Sequence, residues 1–108
     1  MAARYLTYST VTVLHAVASG VPYGFQIIDT TGLPSGTVYP ALGRLERDGF
    51  VRSAWEDAQT AQDDKRPRRR YYRITAQGER ALEESLRRYR ALKRVRSLTT
   101  SIPGHARG

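Results

Sequence analysis

The chain has 108 residues, enough for one domain with one modest core. It carries 18 Lys+Arg against 10 Asp+Glu, a net charge of +8, and such an imbalance favours a polyanionic partner, nucleic acid or an anionic membrane surface. The absence of Cys excludes disulfides and thiolate metal sites, and no apolar run approaches the ~20 residues of a membrane span.

MAARYLTYST has no long apolar signal segment, so the expectation is a cytoplasmic protein, with no membrane contact, cofactor or metal. Met1–Tyr8 reads as a short arm. A first helix is expected from near Ser9 to Ser19–Gly20, and Val11, Val13, Leu14, Ala16, Val17 and Ala18 leave it apolar on most sides. Such a helix must be covered by several elements, so it is either the centre of the core or partly buried by a second subunit. His15 lies in it, either as a ligand contact or as an ordinary exposed histidine, with no second His or carboxylate cluster beside it.

Val21–Pro22 breaks the chain, and Pro22 is placed to open the next helix. Tyr23–Thr31 predicts that helix, with Phe25, Ile27 and Ile28 as its apolar positions. Gly32 suits a left-handed C-terminal residue, Leu33 and Pro34 turn the chain, and Ser35 stands where an N-cap belongs. Val38, Ala41, Leu42 and Leu45 then repeat at i, i+3, i+4, i+7, predicting a helix buried on one face and ended by Gly49. Its other face holds Thr37, Tyr39, Pro40, Gly43, Arg44 and Arg47. Pro40 inside the helix is tolerable only if the start lies close to Ser35, which puts Ser35, Gly36, Thr37, Tyr39 and Pro40 at the N-terminal end. Two helices with a tight Gly-containing turn form the layout of a DNA-binding helix-turn-helix, and equally of an ordinary helical hairpin.

Phe50–Trp55 alternates as a strand with Val51, Ser53 and Trp55 on one face, and Arg69–Ile74 is a second strand with Arg70, Tyr72 and Ile74 on one face. Between them Glu56–Arg68 reads as a long polar loop. The result is a β-hairpin wing whose loop becomes basic at Lys65, Arg66, Arg68, Arg69, Arg70 and Arg73, suited to a phosphate backbone or a narrow minor groove. Asp57, Asp63 and Asp64 lie at the other end of that loop. Thr75 is the expected N-cap of a long helix reaching about Leu98. Ala81/Leu82, Leu86, Tyr89, Leu92 and Val95 form an apolar stripe longer than a compact core can cover, which predicts pairing with a twofold-related copy. Thr99–Gly108 is expected to be a disordered tail.

The segments YGFQII, SGTVYPALGRLERDGFV, Trp55-Glu56 and RRRYYRITAQG make residues 10–92 resemble the PadR family of bacterial transcriptional regulators. The resemblance implies an α+β fold: a winged helix-turn-helix domain over 1–75, a C-terminal dimerisation helix over 76–98, and a homodimeric repressor. In it the Ser35–Gly49 helix enters the major groove, the wing, with Tyr71 on its second strand, touches the backbone, and the first and last helices form the interface. The interface set is then Val11, Leu14, Ala18, Leu82, Leu86, Tyr89, Leu92 and Val95. The short length resembles a subgroup with a single C-terminal helix, some of whose members bind flat aromatic drugs at the dimer centre through a Trp in that helix. Here that helix has Tyr89 instead, and Tyr89, Trp55 and His15 are the candidate effector contacts.

The expected function is a homodimeric, sequence-specific regulator of double-stranded DNA, with a small-molecule effector conceivable. The alternative is a winged-helix interaction module docking an acidic protein, separable from the first by the steep salt dependence of DNA binding. Two distant His and no paired carboxylates beside them argue against an enzyme.

Overall fold

A computed structural model describes residues 6–100, with side chains through residue 92. The elements are α1 (Tyr8–Ala18), α2 (Gly24–Thr31), α3 (Ser35–Arg47), β1 (Val51–Trp55), α4 (Ala58–Asp63), β2 (Arg70–Ile74) and α5 (Ala76–Thr100). This is the expected α+β winged helix-turn-helix order with one added helix, α4.

α1 begins at Thr7, whose Oγ1 accepts from the Thr10 N–H at 3.3 Å. Thr10, Val11, Val13, Leu14, Ala16 and Val17 are all buried, more than one stripe would supply. α2, α3, α5 and β2 all pack on it, so α1 is the centre of this chain's own core. Part of the expected dimer surface is therefore already covered within one chain. Val11 is 4% exposed, Leu14 0% and Leu82 8% within one chain, and side chains already covered offer a partner almost no new area to bury. The expected arm is corrected as well. Leu6 joins the core, and its carbonyl accepts from Tyr89 Oη at 3.0 Å.

Pro22 does not open α2. Its carbonyl accepts from the Tyr72 N–H at 2.8 Å, and Tyr23 bridges Tyr71, so Pro22–Tyr23 forms a short third edge on the wing. α2 starts one residue later, and Gly32 ends it at φ 76°, in the left-handed region that favours glycine. Ile27 is fully buried, but Phe25 is 72% exposed, because one residue past the buried Gly24 lies about 100° around the helix. α3 is capped by Pro34, with Ser35 as its first helical residue, not its cap. Pro40 therefore lies inside the helix and donates nothing to Gly36; both are exposed, which leaves that carbonyl to solvent.

β1 and β2 pair antiparallel, Val51 with Ile74, Ser53 with Tyr72 and Trp55 with Arg70, and this register confirms the two expected faces. The stretch expected as loop contains α4. Asp57 caps it by accepting from the Thr60 N–H at 3.2 Å, and only Ala61 is buried. With one buried residue in six, α4 leaves no periodicity to read. At the root of the wing, Thr75 Oγ1 accepts from the Gly78 N–H at 3.0 Å and donates to the Gly49 carbonyl at 2.7 Å. A Cβ on Gly78 would collide with the Phe50 carbonyl, so α5 meets the start of β1 backbone to backbone. α5 continues to Thr100, two residues beyond the expected end, while the Val95 side chain and residues 101–108 of the expected tail lie outside the described residues.

One buried carboxylate ties the wing together. Glu56 is 7% exposed and accepts from both terminal nitrogens of Arg66 at 2.7 Å, from the Arg69 N–H at 3.1 Å and from Tyr71 Oη at 3.3 Å. The Arg66 hydrogen bonds, helped by the Arg69 N–H, the Arg66 charge and Tyr71, outweigh burial and lower its pKa from 4.5 to about 2. A carboxyl depressed on folding stabilises the fold fully above its unfolded pKa and loses that contribution as pH falls through the folded one. Wild-type stability should therefore decline between pH 4.5 and about 2, and Glu56→Gln should be less stable at neutral pH and flatter across that window. Urea denaturation at a series of pH values reads both slopes; parallel slopes would remove Glu56 from this role.

Candidate nucleic-acid interface

Successive α3 residues are about 100° apart, which sorts its side chains into four directions. Val38, Ala41, Leu42 and Leu45 face the core. Directly opposite stand Gly36, Pro40, Gly43 and Arg47, all exposed and with no acid among them. Thr37 and Arg44 lie on the flank towards α1, where Arg44 Nη2 donates to Thr10 Oγ1 at 3.2 Å. Tyr39 and Glu46 lie on the flank towards the wing. Glu46 Oε2 accepts from Ser53 Oγ at 2.6 Å and lies 3.6 Å from Arg70 Nη2. Of the two arginines expected on the exposed face, Arg47 stands outermost, while the Arg44 guanidinium reaches back to α1.

Tyr39 is held by an absence. A Cβ on Gly24 would stand 2.8 Å from Tyr39 Cζ and Oη, so the ring holds this position only while residue 24 has no side chain, and any larger residue moves it. The ring remains 49% exposed beside the exposed N-terminal turn of α3.

The wing's basic residues divide into structural and free. Arg66 belongs to the first kind: its fork is closed on Glu56 and touches Asp64 at 3.2 Å, and those hydrogen bonds raise its pKa further. Tyr71 is likewise occupied, its hydroxyl on Glu56 and its ring edge-on to Tyr23 at 5.6 Å. Both were expected to contact DNA; in the structure both are engaged by Glu56 within the wing. Arg68 donates Nε to the Glu56 carbonyl at 2.9 Å and stacks on Trp55 at 5.8 Å. Arg69 lies over the Tyr23 ring at 4.2 Å. Among the described residues neither Arg68 nor Arg69 has an ion-pair partner. Arg70 stacks on Trp55 at 5.2 Å, and Lys65 is exposed at φ 55° after α4. Arg73 is exposed on the hairpin's other face, directly across from Arg52, a like-charge pairing that weakens the ladder.

Between α2, the start of α3 and the wing lies a cleft of about 620 Å³. Tyr23, Phe25, Tyr39, Trp55 and Tyr72 wall it, and burial raises the Tyr72 pKa. Arg66 and Arg68–Arg70 close one side, and among the described residues no Asp or Glu lines it. The structure does not bring the expected effector residues together. Trp55 lines this cleft; Tyr89 packs edge-on to Tyr8 at 5.6 Å; His15 is exposed on α1. Sequence reasoning missed Gly24, Phe25, Arg52 and Glu56, and of these only Arg52 had a visible signal, its place in a strand opposite a basic one.

Among the described residues no group of side chains could hold a metal ion, and no helix is long and apolar enough to cross a membrane. The family model described as the transcriptional regulator PadR-like family matches residues 13–84. A PadR family transcription regulator from Clostridium difficile R20291 is similar at 25% identity and a TM-score of 0.76, over 88% of this chain and 100% of that one. A PadR family regulator from Eggerthella lenta is similar at 26% identity and a TM-score of 0.68, over 86% and 82%. The fold is also that of the PcaV transcriptional regulator from Streptomyces coelicolor, solved with its natural ligand, at 23% identity and a TM-score of 0.71, over 88% of this chain and 63% of that one. No curated protein matches the chain. A recognition-type helix with an acid-free outer face, a basic wing beside it and a family match across most of the chain lead to one assignment: the protein belongs to the PadR-like family of transcriptional regulators, on a winged-helix DNA-binding fold.

Proposed function

We propose that this protein is a repressor that binds an inverted-repeat operator as a homodimer, using α3 in the major groove and the wing on the backbone. The observation that carries the reading is the acid-free outer face of α3 beside two wing guanidiniums that have no carboxylate partner among the described residues. Gly36, Pro40 and Gly43 let duplex edges approach α3 closely, and Arg47 is the candidate base reader on that face, with Thr37 and Arg44 at its flank. Ser35 and Tyr39 sit at the start of the helix, where phosphates meet N–H groups and hydroxyls. Lys65, Arg68, Arg69, Arg70 and Arg73 are backbone contacts. The chain acts by binding and not by catalysis.

The dimer is assigned to the exposed part of the α5 stripe within residues 76–98. Leu92 is 53% exposed, Leu86 and Tyr89 are half-buried, and Ala18 is exposed at the end of α1. Twofold symmetry then sets the operator: half-site centres ~34–36 Å apart or a multiple of that. Leu92→Asp leaves the chain's own core intact and should yield monomers by light scattering at micromolar concentration; an unchanged dimer would remove α5 from the interface.

DNA contacts are separable by their salt behaviour. Arg69→Ala should weaken all duplexes about equally and lower the slope of log affinity against log salt by about one unit. Arg47→Ala should cost ~1–3 kcal/mol and change sequence preference. Inserting about five base pairs between half-sites rotates one half to the opposite face and should abolish binding. Tight binding that ignores the insertion would refute the paired-helix geometry.

Gly24→Ala tests the start of the helix without touching DNA directly. It should push Tyr39 aside and weaken binding about tenfold or more, as expected for a lost hydrogen bond to a phosphate. Fluorescence anisotropy with labelled duplex measures it, and an affinity equal to wild type would free Tyr39 from the interface.

A further inference from the structure

The aromatic cleft beside α3 has more apolar ring surface than a DNA backbone can use. Phe25 is 72% exposed, Trp55 56% and Tyr39 49%, and all three line the same cavity. Bases inside a duplex have both faces covered by their neighbours, so a docked double helix leaves these rings unpartnered. A ligand that uses them needs a free planar face.

The charges specify the rest of that ligand. Arg68 and Arg69 have no carboxylate partner among the described residues; at the cleft wall the Arg69 guanidinium lies over the Tyr23 ring at 4.2 Å and that of Arg68 over Trp55 at 5.8 Å. Arg70 is partly engaged by Glu46 at 3.6 Å, while Arg66 is closed on Glu56. Two cations without carboxylate partners on one cleft wall suit a phosphomonoester, which carries close to two negative charges at neutral pH, better than a single carboxylate. Tyr23 and Tyr39 add polar hydroxyl groups to the same wall, which a ring bearing nitrogen and oxygen atoms can satisfy. The volume of about 620 Å³ lies within the range of small-molecule pockets.

We propose that this cleft binds a free nucleoside monophosphate, its base among Phe25, Trp55 and Tyr39 and its phosphate on Arg68 and Arg69. Stacking of unpaired bases on aromatic side chains, with cationic groups following the phosphates, is how single-stranded nucleic acid is held, and a mononucleotide offers the same two groups. The bound nucleotide occupies Tyr39 and Arg69, so it displaces operator DNA; that consequence, unlike the binding itself, rests on the proposed DNA-binding function.

Trp55 is the chain's single tryptophan and stands in the cleft wall, so its fluorescence reports binding directly. Titration of the full-length protein with adenosine or uridine 5′-monophosphate should give saturable quenching. Arg69→Ala should weaken it at least about tenfold, and Phe25→Ala should weaken it too. Both variants should keep the wild-type melting temperature, since the Arg69 N–H still reaches Glu56 and Phe25 is exposed. Adenosine alone and inorganic phosphate alone should each saturate only at much higher concentration. Quenching that never saturates, that survives Arg69→Ala unchanged, or that inorganic phosphate reproduces would overturn the site. A short single-stranded oligonucleotide that binds more tightly per nucleotide than the monophosphate would overturn the free-ligand assignment and give the cleft to an unpaired DNA strand. Labelled duplex, followed by anisotropy, forms the separate arm. Nucleotide quenching without any duplex binding removes the DNA function and keeps the site; duplex binding without quenching does the reverse.

Discussion

α1 is buried on all but the side that carries Tyr8, His15 and Ala18, and the fold is the set of elements needed to cover the rest. Val13 and Leu14 are 0% exposed, and the helix is enclosed by α2 and α3 from the helix-turn-helix, by α5 and by β2 of the wing. In a chain of this length the hydrophobic gain from α1 is available only if all four arrive together. The functional surfaces follow from that enclosure. α3 must lay Val38, Ala41, Leu42 and Leu45 on the hub, so its opposite face is fixed as the outer one. The same covering uses up Val11, Leu14 and Leu82 within one chain.

Glu56 solves a different problem, that of a basic loop with no core of its own. Lys65, Arg66, Arg68, Arg69 and Arg70 repel one another, and the segment between the strands buries only Ala61 apart from Glu56 itself. One carboxylate with four donors converts this segment into a defined element. It neutralises Arg66, fixes the backbone at Arg69 and seats Tyr71, whose ring supports Tyr23, which in turn carries the Arg69 guanidinium. The guanidiniums facing outward are thus positioned by a residue of opposite charge that faces inward.

Most of this architecture was legible in the sequence where a period or a cap existed. The i, i+3, i+4, i+7 run in α3, the alternation in β1 and β2, Gly32, Gly49 and Thr75 each had a physical signature, and the elements fell within a residue or two of expectation. What was not legible depended on contacts between segments distant in sequence. Ser35 looked like a cap because the competing role of Pro34 depends on its ψ, which composition does not encode. Phe25 looked like core because hydrophobicity says nothing about which side of a short helix has a neighbour. Arg66 and Arg69 are indistinguishable as members of a charge run; only Glu56, ten residues before Arg66, separates a latch from a free cation. The candidate DNA surface was therefore readable as a region, and its division into structural and free residues was not.

The contact of Gly78 with Phe50 has a mechanical meaning. Where side chains lie between two elements, a small rotation is absorbed by changes of rotamer. Here nothing lies between them: backbone meets backbone, and Thr75 locks the joint to Gly49 at the end of α3. α5 is thus geared to the root of the wing and to the C-terminal end of α3 with very little play. A roll of α5 about its axis would have to swing the wing and α3 as one rigid body, like a crank arm fixed to its shaft.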